Sequence, residues 1–217
     1  MNAVPWITLA ALLAAALVYY NYWSQRKRTE ALKQAARILG FDFFPPGDDA
    51  LLASLPGFHL LSLGRATELT NLMRGARGPT PVAIFDYSYV TGGGKSRRRW
   101  RQSVICFHTN KQFPTNFCLR PEHAWHKIAA VFGYQDIDFE NRPRFSAKYL
   151  LRSDNEQAVR LLFTDEVLAY FEQDGVGICT EGAGDWLVVY RESARVEPDA
   201  IASFMEEGIR VLSLFQR

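Results

Sequence analysis

The hydrophobic pattern of the chain begins with an uninterrupted apolar run. No charged side chain occurs between Met1 and Gln25, and residues 4–23 are mainly Ala, Leu, Val and Ile. About twenty helical residues at roughly 1.5 Å each span the roughly 30 Å hydrocarbon core of a bilayer. Aromatic residues stand at both ends of the run, as in interfacial belts. The pattern predicts a transmembrane helix over residues 4–23, after a short tail over residues 1–3.

Basic residues follow this run directly, at Arg26, Lys27 and Arg28, and none precedes it. Because Lys and Arg are retained on the cytoplasmic side, the run predicts a single-pass protein with its N-terminus outside and the rest in the cytoplasm. The three residues are then membrane-flanking, and the lipid bilayer is a partner. Two alternatives stay open: a cleaved signal peptide, which here would lack its positive n-region, and a buried core helix.

The helical pattern continues beyond the apolar run. Leu32, Ala35, Ala36 and Leu39 recur at helical spacing, and Gly40 stands where a C-terminal cap belongs. This predicts a juxtamembrane helix over residues 24–40. Two prolines and a glycine over residues 45–47 prevent its continuation, so we place a single domain over residues 41–217.

Strand patterns dominate the first part of this domain. Residues 66–74, 81–90 and 97–109 are rich in β-branched and aromatic residues, and a glycine-rich connection over 91–96 joins the last two as a hairpin. A short strand follows over 116–120, and Pro121 opens a helix that runs to about residue 132.

Helical patterns are more frequent in the second part. Residues 154–163, 164–173 and the segment after Pro198 read as helices, and 176–180 with 186–191 as a second hairpin. The fold class predicted is α+β: a transmembrane helix followed by an antiparallel sheet covered by helices. A variant resembling pleckstrin-homology domains, with the sheet closed by the C-terminal helix, rests on element order alone.

Seven short motifs occur along the domain: Asn71-Leu72-Met73, Phe85-Asp86-Tyr87, Phe113-Pro114, Leu119-Arg120-Pro121-Glu122, Asp136-Ile137-Asp138-Phe139, Phe145-Ser146 and Tyr149-Leu150. Together they resemble a family of bacterial membrane-anchored proteins of unknown function. The resemblance implies a bacterial inner-membrane setting, and it supplies no activity, cofactor or catalytic residue.

Composition excludes several classes of protein. With 13% aromatic and 22% charged residues the chain is not disordered, and three cysteines in 217 residues do not make a disulfide scaffold. An odd number of widely spaced cysteines fits a reducing compartment, in agreement with the predicted cytoplasmic domain.

The glycine-rich connection contains a GKS sequence at Gly94-Lys95-Ser96, which is also the end of a phosphate-binding loop. Such a loop needs a glycine where Tyr89 stands and a helix afterwards, whereas a strand pattern follows. We therefore interpret it as a hairpin tip. Zinc-type ligands occur at spacings that fit no zinc pattern, and we predict no metal and no cofactor; these ligands are Cys106, His108, Cys118, His123 and His126.

Candidate catalytic residues are few. Asp136 and Asp138 would share one side of an extended segment, as paired carboxylates do in hydrolases, but solvated carboxylates in a turn are commoner. Cys106, Cys118 and Cys179 are candidate nucleophiles, though any chain with three cysteines and four histidines offers such candidates. No complete catalytic motif is present, which favours a protein that is not an enzyme.

Charge is distributed unevenly along the chain. Residues 1–120 carry a net charge of +9 and residues 121–217 a net charge of −7. Four arginines and a tryptophan, which could contact an anionic membrane surface, cluster beside the glycine-rich connection: Arg97, Arg98, Arg99, Trp100 and Arg101. Alternatively the cluster neutralises the acidic half of the same fold; nucleic acid is a weaker third partner.

These patterns predict a membrane-anchored cytoplasmic interaction domain that binds an unidentified protein partner or anionic lipid headgroups. The alternative hypothesis is an enzyme of an unrecognised class that uses the Cys, His and Asp residues named above.

Overall fold

The computed structural model describes residues 4–55, 57–122 and 136–216, without the side chains of residues 4–7, 10 and 49. Its first element is one continuous helix, α1 (Val4–Leu39). The helix ends as its sequence predicts. Gly40 adopts a positive φ of 72°, and the amides of Gly40 and Phe41 donate to the carbonyls of Arg37 and Ala36. This pair of hydrogen bonds is a Schellman cap.

The transmembrane prediction is wrong. Across the described part of the chain, no helix combines the length and apolar character needed to cross a bilayer. Five of the ten residues from Leu9 to Val18 are alanines, which contribute little apolar surface, and Tyr19 and Tyr20 then bring polar groups. The predicted transmembrane helix over 4–23, the single-pass topology and the inner-membrane location are therefore corrected.

Eight antiparallel strands form one sheet in the described residues, in the order β1-β2-β3-β4-β8-β7-β5-β6. One half of the sheet consists of the short β1 and the three long strands β2 to β4, and the other half consists of five-residue strands. The strands are β1 (Asp42–Phe44), β2 (Arg65–Arg77), β3 (Thr80–Thr91), β4 (Arg98–His108), β5 (Phe117–Pro121), β6 (Tyr149–Ser153), β7 (Cys179–Ala183) and β8 (Trp186–Tyr190).

Helices cover the first face of this sheet and enclose the larger apolar core. The C-terminal half of α1 contributes Leu32 and Ala36, and four further helices pack beside it. Gly208 lets the last helix approach β4, since a Cβ there would lie 3.0 Å from the ring of Phe107. The four helices are α4 (Pro143–Ser146), α5 (Glu156–Leu162), α6 (Asp165–Gln173) and α7 (Ile201–Phe215).

Two short helices, α2 (Asp49–Ser54) and α3 (His59–Ser62), cover part of the second face. Their leucines pack against the opposite side of the strands, where side chains such as Phe85 and Tyr87 alternate with those facing the larger core. The sheet therefore has an apolar core on each face, which explains why β3 is buried along nearly its whole length.

The predicted fold class is corrected accordingly. The domain is an open eight-stranded antiparallel sheet with helices on both faces, and its first helix packs on the sheet instead of crossing a bilayer. The variant resembling pleckstrin-homology domains is also wrong, because α7 lies across β4 and β8 and does not close a barrel. The helix predicted over 121–132 falls, from residue 123 onward, outside the described residues.

A buried ion pair fixes α1 to the first face of the sheet. The guanidinium of Arg28 donates two 2.8 Å hydrogen bonds to the Asp86 carboxylate, and the two side chains are only 9% and 8% exposed. Asn71 and Ser103 also donate to this carboxylate. Burial alone would raise the pKa of Asp86, but the hydrogen bonds and charge of Arg28 hold it below its usual range.

Arg28 is therefore a docking residue of the fold, and the prediction of a membrane-flanking role for it is corrected. Its neighbours Arg26 and Lys27 are exposed and lie over the rings of Tyr22 and Trp23 on α1 itself.

Replacing Arg28→Met is expected to lower the free energy of unfolding by about 3–5 kcal/mol, because it leaves the Asp86 carboxylate buried without its cation. Urea denaturation of the full chain measures this. The control, Lys27→Met, removes an exposed charge one residue away and should cost no more than about 0.5 kcal/mol.

The pH dependence follows from the depressed pKa of Asp86. The ionised Asp86 stabilises the fold at pH values above the ordinary aspartate pKa of 3.8, and this stabilisation is lost as the pH falls through the lower pKa of the folded state. The loss of stability caused by Arg28→Met should therefore be smaller in acid. Equal urea midpoints for the two variants at neutral pH would contradict a docking role for Arg28.

Candidate ligand-binding site

A cleft of about 460 Å³ opens on the second face of the sheet, between α3 and one end of β5, β6 and β7. Cys118, Arg152 and Glu181 come from these three strands, and Phe58 and Leu61 come from the α3 segment. The lining is mostly apolar with a few polar groups, and the volume lies in the range of ligand pockets. The cleft is therefore the candidate binding site of the domain.

A buried glutamate lies at the inner end of the cleft. Glu181 is 1% exposed, and its carboxyl group accepts hydrogen bonds from the hydroxyl of Tyr190, at 2.7 Å, and the amide of Leu60, at 3.1 Å. Burial raises the pKa of Glu181 and outweighs these hydrogen bonds and the charge of Arg120. The contact with Leu60 ties α3 to β7 and so sets the width of the cleft.

Arg120 extends the same polar cluster below the cleft. Its side chain is 1% exposed and donates a 2.9 Å hydrogen bond to Glu192, in the segment after β8. It lies on the second face because Cys118 and Arg120 alternate with Phe117 and Leu119, which belong to the larger core. A buried cation therefore stands close to the inner end of the cleft.

His59 lines the cleft from the first turn of α3. Burial and the positive charges of Arg120 and Arg152 lower its pKa to about 4. At neutral pH the imidazole is consequently uncharged, and the cleft's positive charge comes from arginine.

The rim of the cleft is held by hydrogen bonds between β5 and β6. The side-chain amide of Asn116 donates to the Asp154 carboxylate at 2.8 Å, and the hydroxyl of Ser153 donates to the backbone carbonyl of Asn116 at 2.7 Å. Arg152 stands half-buried beside them. A rim so connected is pre-organised, which lowers the entropy cost of binding.

The residues of the predicted arginine cluster lie on both faces of the sheet, because successive side chains of β4 point to opposite faces. Arg99 and Arg101 lie on the first face of the sheet, whereas Trp100 points to the second face. Trp100 is 8% exposed and its indole N–H donates to Thr91 at 2.7 Å, while the Arg98 guanidinium stacks on its ring at 3.9 Å. The structure thus buries the predicted interfacial tryptophan in the second core.

The glycine-rich connection is a hairpin tip. Gly94–Ser96 forms a short 3-10 turn, and the Ser96 hydroxyl accepts from the amide of Gly93 and donates to its carbonyl. β4 follows directly, so no helix N-terminus is available for a phosphate.

The structure does not assemble the candidate metal ligands. Within residues 4–55, 57–122 and 136–216, no three His, Cys, Asp or Glu side chains form a metal-binding group. His108 instead pairs with Asp185 at 2.9 Å at the end of β4, and its ring lies 4.6 Å from the ring of Trp186 at an angle of 36°. His123 and His126 lie outside the described residues.

The candidate catalytic residues have structural partners. The Asp136 carboxylate accepts the amide of Leu151 at 3.0 Å and so caps the outer edge of β6, while Asp138 is exposed. Burial raises the pKa of the Cys106 and Cys179 thiols to about 12, and it raises that of Cys118 well above the ordinary value. These thiols stay protonated at neutral pH, which disfavours nucleophilic catalysis.

Sequence reasoning missed the residues that form the cleft, above all His59, Arg152 and Glu181. One signal was present: Arg120 and Glu181 interrupt short apolar strand segments, and an ionisable group in such a position is paired or functional. The other residues come from three distant segments, which no local pattern connects.

The sequence matches no family model, and no curated protein is significantly similar to it. The fold resembles a solved structure described as the crystal structure of the mycobacterial trehalose monomycolate transport factor A, TtfA. The TM-score is 0.63, with 88% of this chain and 93% of that chain covered. At 16% identity the likeness shows a shared fold and nothing about ligands.

We expect Glu181→Gln to stabilise the protein at pH 8. The folded state holds the Glu181 proton more tightly than the unfolded state, so this group stabilises the fold below pH 4.5, and that stabilisation is lost as the pH rises through the raised folded pKa. The side-chain amide of the glutamine cannot ionise and so avoids this loss. The expected gain in the free energy of unfolding is about 1.4 kcal/mol for each unit by which the fold raises the Glu181 pKa.

Urea unfolding at pH 4 and pH 8 checks this expectation, with exposed Glu140→Gln as the matched control. The gain should be absent at pH 4 and absent in the control. A Glu181→Gln protein less stable than wild type at pH 8 would contradict the raised pKa, because it would mean that the fold stabilises the ionised carboxylate.

Proposed function

We propose that this chain is a non-catalytic interaction domain whose cleft between α3 and β5–β6–β7 binds a segment of a partner protein. The observation that carries this proposal is the cleft itself: an apolar concavity of about 460 Å³ with a charged and hydrogen-bonded rim. Protein interfaces concentrate their affinity in such places, where a buried anchor is surrounded by polar contacts.

The lining of the cleft indicates the chemistry of its occupant. Phe58 and Leu61 offer apolar surface for one large side chain, and Arg152 is half-buried at the rim. A carboxylate next to the anchor would meet this guanidinium and the nearby charge of Arg120. The proposed occupant is therefore a peptide segment with an aromatic or aliphatic anchor beside an Asp, a Glu or a terminal carboxylate.

Two further observations support binding over catalysis. The thiols on which the enzyme hypothesis depends are protonated at neutral pH, Asp136 caps the edge of β6, and His108 pairs with Asp185 at the end of β4. The protein of similar fold is described as a transport factor, a description that fits a protein acting by binding.

A peptide library displayed on phage, selected on the purified full chain, tests the proposal. Enriched peptides should share a large apolar residue next to an acidic group. Binding of a labelled enriched peptide is then measured by fluorescence polarisation. We expect Arg152→Glu to weaken it at least about tenfold, because the reversed charge repels the peptide carboxylate.

The control is Arg144→Glu, which reverses an exposed charge on α4 outside the cleft and should leave affinity within about twofold. Enriched peptides without an acidic group, or equal weakening by the two variants, would contradict the proposal.

A further inference from the structure

A second cavity lies on the opposite face of the sheet, where α1 meets β2, β3 and β4. Its volume is about 220 Å³. Gln25 and Thr29 of α1 line one side, Arg99 and Arg101 of β4 line another, and Arg195 enters from the segment after β8. The cavity is thus lined by α1, the strands β2 to β4 and the segment after β8, and three guanidinium groups stand around it.

The carboxylates of this cavity are already paired. Asp86 binds Arg28 through both oxygens, and Glu68 pairs with Arg99 at 3.0 Å. Arg101 and Arg195 form no ion pair with any residue in the described ranges, and the guanidinium of Arg195 donates to the neutral amide of Gln25 at 3.0 Å. Two guanidinium groups at this cavity therefore have no carboxylate partner at ion-pair distance within the described residues.

The grouping of these charges raises the free energy of the folded protein. Burial lowers the pKa of Arg195, and the neighbouring charges of Arg28 and Arg101 lower it further, against the opposing effects of Asp86 and Glu197. Like charges in a partly enclosed site repel more strongly than in water. An anion between them would convert this repulsion into attraction.

We propose that this cavity binds a phosphate group through Arg101 and Arg195, with Arg99 at its edge. Guanidinium groups that approach from different elements suit tetrahedral oxygens, since each can donate two N–H groups to separate phosphate oxygens. The phosphate can belong to a free phosphorylated molecule or to a lipid headgroup, because both present the same oxygens.

The phosphate site would use only part of the arginine cluster predicted from sequence. Of the four clustered arginines, Arg99 and Arg101 line the cavity, while Arg98 stacks on Trp100 and Arg97 is exposed at the end of the hairpin turn. Arg97 thus provides a matched control within the same run of charge.

Isothermal titration of the full chain with inorganic phosphate and pyrophosphate, at constant ionic strength in chloride, tests the site. We expect saturable binding of one anion per chain. Arg101→Gln and Arg195→Gln should each weaken it at least about tenfold, because each removes a charged donor, and Arg97→Gln should leave it within about twofold. Arg101 is exposed, so its replacement does not endanger folding, and equal urea midpoints confirm this.

A second experiment measures binding of the full chain to vesicles of phosphatidylcholine with phosphatidic acid. If vesicles and pyrophosphate compete for the protein, the site binds a lipid headgroup; if they do not compete, it binds a free phosphorylated molecule. Lack of saturable binding by both phosphate and pyrophosphate, or equal weakening by Arg97→Gln and Arg101→Gln, would overturn the proposal.

Discussion

The arrangement of the first face depends on one buried contact, the bidentate ion pair between Arg28 of α1 and Asp86 of β3. A buried carboxylate without its cation is costly, so the sheet holds this helix at one register and one angle. That register places Leu32 and Ala36, one and two turns further along, in the larger core. It also places Gln25 and Thr29 over the arginines of β4, where they complete the second cavity.

The two sites lie on opposite faces of one sheet, and the strand alternation separates them. In β4, odd-numbered residues such as Arg101 and Ser103 face α1, and even-numbered residues such as Trp100 and Cys106 face the second core. The strands that form the cleft, β5 to β7, are short and contribute Cys118, Arg120 and Glu181 to the second face. A packed sheet lies between the two cavities, so a ligand in one does not contact the other.

Local features of the fold were accessible from the sequence, and long-range ones were not. The hairpin of β3 and β4 and the cap at Gly40 follow from alternation and from glycine at a turn or a helix end. The ion pair of Arg28 joins residues 58 positions apart, and no local signal marks it. Basic residues after an apolar run have the same appearance at a membrane boundary and at a helix that docks on its own domain.

The residues of the cleft also depend on long-range pairing that the sequence does not reveal. The sequence over residues 181–185 reads as a turn because of its glycines, yet Glu181 and Gly182 belong to β7 through pairing with β8, and only Gly184 and Asp185 form the turn. Because this interpretation places Glu181 in the turn of the second hairpin, it gives no reason to expect a buried carboxyl group in a cleft. Pairing with Val188 overrides the local propensity, and pairing depends on the whole sheet.

The length of α1 gives its docking a mechanical consequence. The helix extends 24 residues from Val4 to the residue before Arg28, which is roughly 36 Å at 1.5 Å per residue, and the described side chains of this part are largely exposed. Because the buried ion pair fixes α1 at Arg28, a tilt of the helix axis by about five degrees at this point would move the N-terminal end of α1 by about 3 Å. Any change of packing beneath Arg28, in the wall of the second cavity, would therefore have its largest effect on position at the N-terminal end of α1.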